Sequence, residues 1–174
     1  MTARIHTSIA IFLASMFGSM SMTAHAAEPN RIPTEAKRIL ENASGMILMS
    51  LDPTLRSPNI MARATESLSY RHFRGWRLLG QTNINDPVTR RKVSVSVERS
   101  VRDFDGLIAA CFNPRHALRV TSGTQTYDFI ICYECHSMEI YSGDHELPGV
   151  ALTGSSEPLD KVLQAAHVKQ AKRE

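Results

Sequence analysis

What most constrains the fold of this chain is the placing of its cysteines. All three lie between positions 111 and 135, and the stretch CFNPRHALRVTSGTQTYDFIICYECH also holds His116 and His136 of the seven histidines. Sulfur and imidazole gathered this closely bond to one another, hold a metal or react, so the fold must set the two ends of the stretch in a definite relation. Residues 107–120 and 127–141 read as the arms of a β-hairpin turning near Ser122-Gly123, which faces Cys111 toward Cys132 and Cys135.

The compartment narrows the chemistry. Residues 1–8 carry Arg4 and no acid, residues 9–22 are apolar, and Ala24-His25-Ala26 supplies small residues at cleavage positions. That order reads as a secretory leader, residues 1–26, removed after Ala26. The apolar run is shorter than the roughly 20 residues a bilayer span needs, so no stable membrane anchor is expected after cleavage. The expected product is exported and soluble, in the periplasm or secreted. Residues 27–33 read as a polar linker, 34–170 as one domain and 171–174 as a basic tail. With 20 basic against 17 acidic residues the chain lacks the strong positive balance that nucleic acid demands. The expected partner is a protein or a small ligand.

Apolar spacing predicts a helix from Glu35, capped by Thr34, to about Ser50, a loop over 51–60 and a turn of helix near 61–70. It predicts a strand over 73–84, bent at Gly75 and Gly80. Asp86-Pro87 opens a helix to about Arg102, although the interior KVSVSVERSV also alternates like a strand. Residues 143–149 read as loop, and 158–169 as a last helix. Met46, Met49 and Met61 sit at helical spacing and read as core filler rather than as a copper site. The fold class is α+β, a small antiparallel sheet with a central β-hairpin flanked by helices.

Five segments together, Phe73-Arg74-Gly75-Trp76, Leu79-Gly80, Asp86-Pro87, Cys111-Phe112-Asn113-Pro114-Arg115-His116 and Ile131-Cys132-Tyr133-Glu134-Cys135, resemble an uncharacterised family of small exported bacterial proteins. Its members share CF-x-PRH and ICFEC-like motifs at this separation. The resemblance runs from about Leu51 to the last helix and implies a single α+β domain. It implies no activity, and the family pattern carries another residue where this chain has His136.

The cluster supports three readings. In the preferred one a cross-strand disulfide joins Cys111 to Cys132 or Cys135, the length of the hairpin loop selecting the partner, and one thiol is left over. A redox-active dithiol is a weaker variant, because Glu134 between Cys132 and Cys135 opposes thiolate formation. The second reading is a zinc site of Cys111, His116, Cys132 and Cys135, which needs a knuckle between the last two because strand residues three apart face opposite ways. The third is covalent haem c on Cys132-Tyr133-Glu134-Cys135-His136, a complete C-x-x-C-H motif in strand-like surroundings. No cofactor at all is the leading expectation, with zinc and then haem as alternatives. With no Ser-His-Asp set or phosphate-cradling loop in the sequence, the function expected is a non-enzymatic binding or interaction domain. A metalloprotein is the alternative, and an enzyme using Cys111 and His116 comes third.

Overall fold

The computed structural model describes residues 30–56 and 70–172, with side chains 55 and 56 left aside. The leader at 1–26, residues 27–29 of the linker, residues 61–69 of the helical turn expected near 61–70 and the last two residues of the tail fall outside the described residues.

The frame is a seven-stranded antiparallel sheet, with β1 (Gly45–Arg56), β2 (His72–Phe73), β3 (Trp76–Asn83), β4 (His116–Ser122), β5 (Gln125–Cys132), β6 (Ser137–Ser142) and β7 (His145–Ala151) in the order β2-β3-β1-β4-β5-β6-β7. Its helices are α1 (Thr34–Glu41), α2 (Pro87–Arg102) and α3 (Glu157–Ala165). Among the described residues helices pack on an antiparallel sheet, an arrangement of the α+β class.

The helix expected through Ser50 stops at Glu41, where the Asn42 amide donates to the Arg38 carbonyl, and residues 45–56 form a strand instead. The run Met46-Ile47-Leu48-Met49 suits a strand because both faces of β1 are covered. Met46 and Leu48 enter one core, and Met49 and Leu51 the other. Apolar runs of this kind do not distinguish helix from doubly buried strand by spacing. At Gly45 an added Cβ would stand 2.5 Å from Thr121 Oγ1, so the close pairing of β1 with β4 favours glycine there.

Helix α2 follows its signals. Asp86 accepts from the Val88 and Thr89 amides at 3.3 and 2.8 Å and from the Thr89 hydroxyl at 2.6 Å. Those bonds, the hydroxyl's foremost, hold the Asp86 carboxyl below its ordinary range. Val93, Val97 and Val101 make a buried stripe with helical spacing, which overrides the strand-like alternation between them.

The two sheet faces are covered differently, which corrects the expectation of flanking helices. All three helices pack on one face, where Ile39, Leu40, Val93, Val97, Leu159 and Leu163 meet Leu48, Leu118, Phe129 and Ile140. On the other face, strand residues Met49, Leu51, Ala117 and Ile130 are joined by Phe73 and Trp76 and by Phe112 of a loop. The sheet curls to enclose this second core. Register breaks in the β1–β3 pair turn β2 and β3 over it. Arg74, in the β2–β3 turn, then reaches Asp128 of β5 and the Gly143 carbonyl beyond β6.

The hairpin expected over 107–141 is shorter and divided. Only β4 and β5 form it, across a two-residue turn with Gly123 at φ 59°, and the remainder of the second arm is a separate strand, β6. The first arm starts at His116 rather than 107, since Pro114 has no amide to give a ladder. Residues 145–151 form the edge strand β7, where a loop was expected over 143–149, and an edge position tolerates Pro148.

Candidate functional site

β5 ends at Cys132 and β6 begins at Ser137, so Tyr133 to His136 make a turn. His136 takes the left-handed region, φ 55°, and its amide donates to the Tyr133 carbonyl at 3.4 Å. Coiling the chain here brings together two residues that a straight strand would send to opposite faces. Cys132 and Cys135 lie 5.2 Å apart at Cα and form a disulfide. The cross-strand bridge from Cys111 is therefore not the bond formed, because Cys111 precedes β4 and never enters the hairpin ladder.

Cys111 nonetheless arrives at the same place by another route. The loop between α2 and β4 crosses the end of the sheet over the Cys132–Cys135 turn. The Ala109 amide donates to the Cys135 carbonyl at 3.2 Å, and the Leu51 amide to the Arg115 carbonyl at 2.9 Å. Phe112 anchors the loop edge-on to Trp76, with ring centroids 6.0 Å apart. Between these ties the Cys111 Sγ is set 2.8 Å from the Cys135 Sγ, nearer than packing alone brings two sulfurs.

The environments of the three sulfurs differ. Cys132 and Cys135 are 1% and 0% exposed, whereas Cys111 is an exposed free thiol. Two backbone amides point at the buried pair, that of Cys135 at the Cys132 Sγ (3.1 Å) and that of Asn113 at the Cys135 Sγ (3.2 Å). N–H donors so placed stabilise negative charge on sulfur.

Leading up to Cys111, the segment Leu107-Ile108-Ala109-Ala110 is exposed at every residue, with Leu107 at 69% and Ile108 at 63%. Sequence reading placed these residues in a strand arm, where alternate ones would be buried. Their exposure follows from the late start of β4, for which Pro114 was the one local signal.

His116 is buried on the helix-covered face. Its Nε2 is 2.8 Å from Asp160 Oδ1 of α3, its ring lies edge-on to Tyr133, and Ser156 donates to Asp160 Oδ2 at 2.8 Å. The carboxylate sits between hydroxyl and imidazole, so the imidazole is not placed to take the serine proton as a Ser-His-Asp triad requires. Nor does His116 form a nucleophile pair with Cys111, since Nε2 faces Asp160 and the Cys111 sulfur faces Cys135. A cavity of about 230 Å³ beside His116 is lined by Arg115, Tyr133, Glu134 and Ser155. Arg115 is already matched there by Glu134 at 2.9 Å and by the Lys172 carbonyl, so it offers little charge to an anion. Burial raises the Tyr133 phenol above its ordinary pKa, opposed by the Ser100 and Ser96 hydroxyls.

The proposed cofactors fit this arrangement poorly. Zinc would need Cys111, His116, Cys132 and Cys135 to converge as free ligands, but two are bonded together and His116 is turned to Asp160. Among the described residues no group of three or more His, Cys, Asp or Glu side chains is placed to hold a metal. For haem, the vinyl groups would have to reach two sulfurs that the Cys111 loop covers. His136 Nδ1 is buried with no hydrogen-bond partner, directed into the protein.

Compared with protein-family models, with curated proteins and with solved structures, the chain matches none of them.

Proposed function

We propose that this chain is an exported, soluble interaction domain whose contact surface is the apolar segment from Leu107 to Cys111 beside the disulfide turn. One observation carries the reading: five consecutive apolar or thiol residues stand exposed on a loop that is otherwise firmly tied down. Soluble proteins that keep contiguous apolar surface in water commonly use it to bind another macromolecule. The backbone ties to Cys135 and Leu51 pre-order the loop, which reduces the entropy lost when a partner docks. A protein partner with a complementary apolar surface suits a strip of this shape better than a small ligand, which needs a concave site. No helix among the described residues is long and apolar enough to cross a membrane. The resemblance of the CF-x-PRH and ICYEC segments to small exported proteins supports the export part of the reading.

The test uses the full chain expressed with its own leader and a photoreactive residue at position 108. The expected result is a periplasmic protein starting at Ala27 that gives a discrete cross-linked adduct, lost when Leu107→Ser is added. The same label at exposed Glu146, on β7, should give none. A protein that keeps residues 1–26, or equal labelling at positions 108 and 146, would overturn the reading.

A further inference from the structure

We propose that the three sulfurs form an internal thiol–disulfide relay, in which Cys111 and Cys132 compete for Cys135 and Cys111 is the entry point for an external thiol. Exposure and distance carry the argument. The Cys132–Cys135 bond is sealed from solvent, and the one free thiol among the described residues touches it at Cys135 while facing water on its other side. A disulfide that is merely structural needs no exposed thiol held against it.

The exchange balances without an oxidant. The Cys111 thiol gives its proton to water, and its sulfur attacks the Cys135 Sγ. The Cys111–Cys135 bond forms as Cys132–Cys135 breaks, and Cys132 leaves as a thiolate that then takes up a proton. The Cys135 amide already directed at the Cys132 Sγ stabilises that leaving thiolate. The new disulfide has one sulfur at the surface. An external monothiolate attacks the Cys111 Sγ, Cys135 departs as a thiolate, and a mixed disulfide is left on Cys111. A second monothiol releases the symmetrical disulfide and regenerates the Cys111 thiol. The protein disulfide has then gained two electrons and two protons from two monothiols.

The substrate class is thus a thiol, either a small monothiol or a cysteine on the docked partner. The relay rests on the interaction reading only for the partner's identity, and a small thiol tests it without any partner.

Reduction of the native protein by reduced glutathione, followed by acid quench, alkylation and peptide mapping, is the experiment. Wild type should pass through a glutathione adduct on Cys111. Cys111→Ser, at an exposed position, should fold with the same unfolding midpoint and lose its disulfide at least about tenfold more slowly, since reduction then waits for local opening. Cys132→Ser recovered from the oxidising compartment should carry a Cys111–Cys135 disulfide and no free thiol. Equal reduction rates in wild type and Cys111→Ser, or a folded Cys132→Ser with two free thiols, would overturn the relay. Should Cys132→Ser fail to fold, the Cys111→Ser rate decides alone.

Discussion

Asp128 is the bolt that closes the curled sheet, and its removal can be worked through quantitatively. Its side chain is 1% exposed, yet it meets two arginines. Arg119, its neighbour in the β4–β5 ladder, donates from Nε and Nη2 at 2.8 and 2.9 Å. Arg74, from the far side of the curl, donates from Nε at 2.8 Å. Hydrogen bonds to charged groups contribute about 1.5–3 kcal/mol each, which for three bonds would exceed the cost of breaking a whole buried pair, about 3–5 kcal/mol. These terms are not additive, and both arginines can recover water, their side chains being 19% and 41% exposed. Asp128→Asn keeps the shape and one acceptor, so the expected loss is at the lower end, about 3 kcal/mol. Urea unfolding followed by tryptophan fluorescence measures it directly, because Trp76 lies in the core that this contact seals. A double-mutant cycle with Arg74→Met should give a coupling of at least about 1 kcal/mol, since the pair interacts across the fold. A loss below about 1 kcal/mol in Asp128→Asn, with the midpoint scarcely moved, would refute the view that this charge cluster holds the sheet closed.

Two further outcomes follow from the backbone. Asp86→Asn retains a capping oxygen but cannot titrate. Because the folded carboxyl lies below its ordinary value of 3.8, its contribution is present above that value and lost as pH falls through the lower folded one. Unfolding midpoints should therefore fall less steeply with acid in Asp86→Asn than in wild type, and parallel profiles would contradict the cap's role. Gly80→Ala places a Cβ 2.8 Å from Val168 Cγ1, and should cost about 1–3 kcal/mol by overpacking even though alanine suits a strand better than glycine. Adding Val168→Ala should recover part of that loss in thermal unfolding, and simple additivity would show that the contact is not the cause.

Some of this molecule was legible in the chain before any tertiary contact. Helix α2 was, because Asp86-Pro87 is a start signal with a local mechanism and Val93, Val97 and Val101 repeat at four. The β4–β5 turn was, because Gly123 meets a local backbone need. The gathering of all three cysteines into one stretch was also visible in the sequence alone. Strand β1 was not, since Met46-Ile47-Leu48-Met49 has no polar residue to mark a period, and only the presence of a core on each side makes it a strand. Nor was the break between β5 and β6, where His136 rather than glycine adopts the left-handed region.

The sequence by itself determined that Cys111, Cys132 and Cys135 fall in one short stretch, and its pattern predicted β-structure around them. Tertiary structure decided how they are arranged. It bonds Cys132 to Cys135, brings Cys111 to them from outside the ladder, and leaves Leu107 to Cys111 in water. The physical reason is that local signals act over a few residues through backbone sterics and spacing. The pairing of the sulfurs depends instead on where β4 can begin, on Phe112 reaching Trp76 and on the curl that Arg74 and Asp128 close, contacts between segments tens of residues apart.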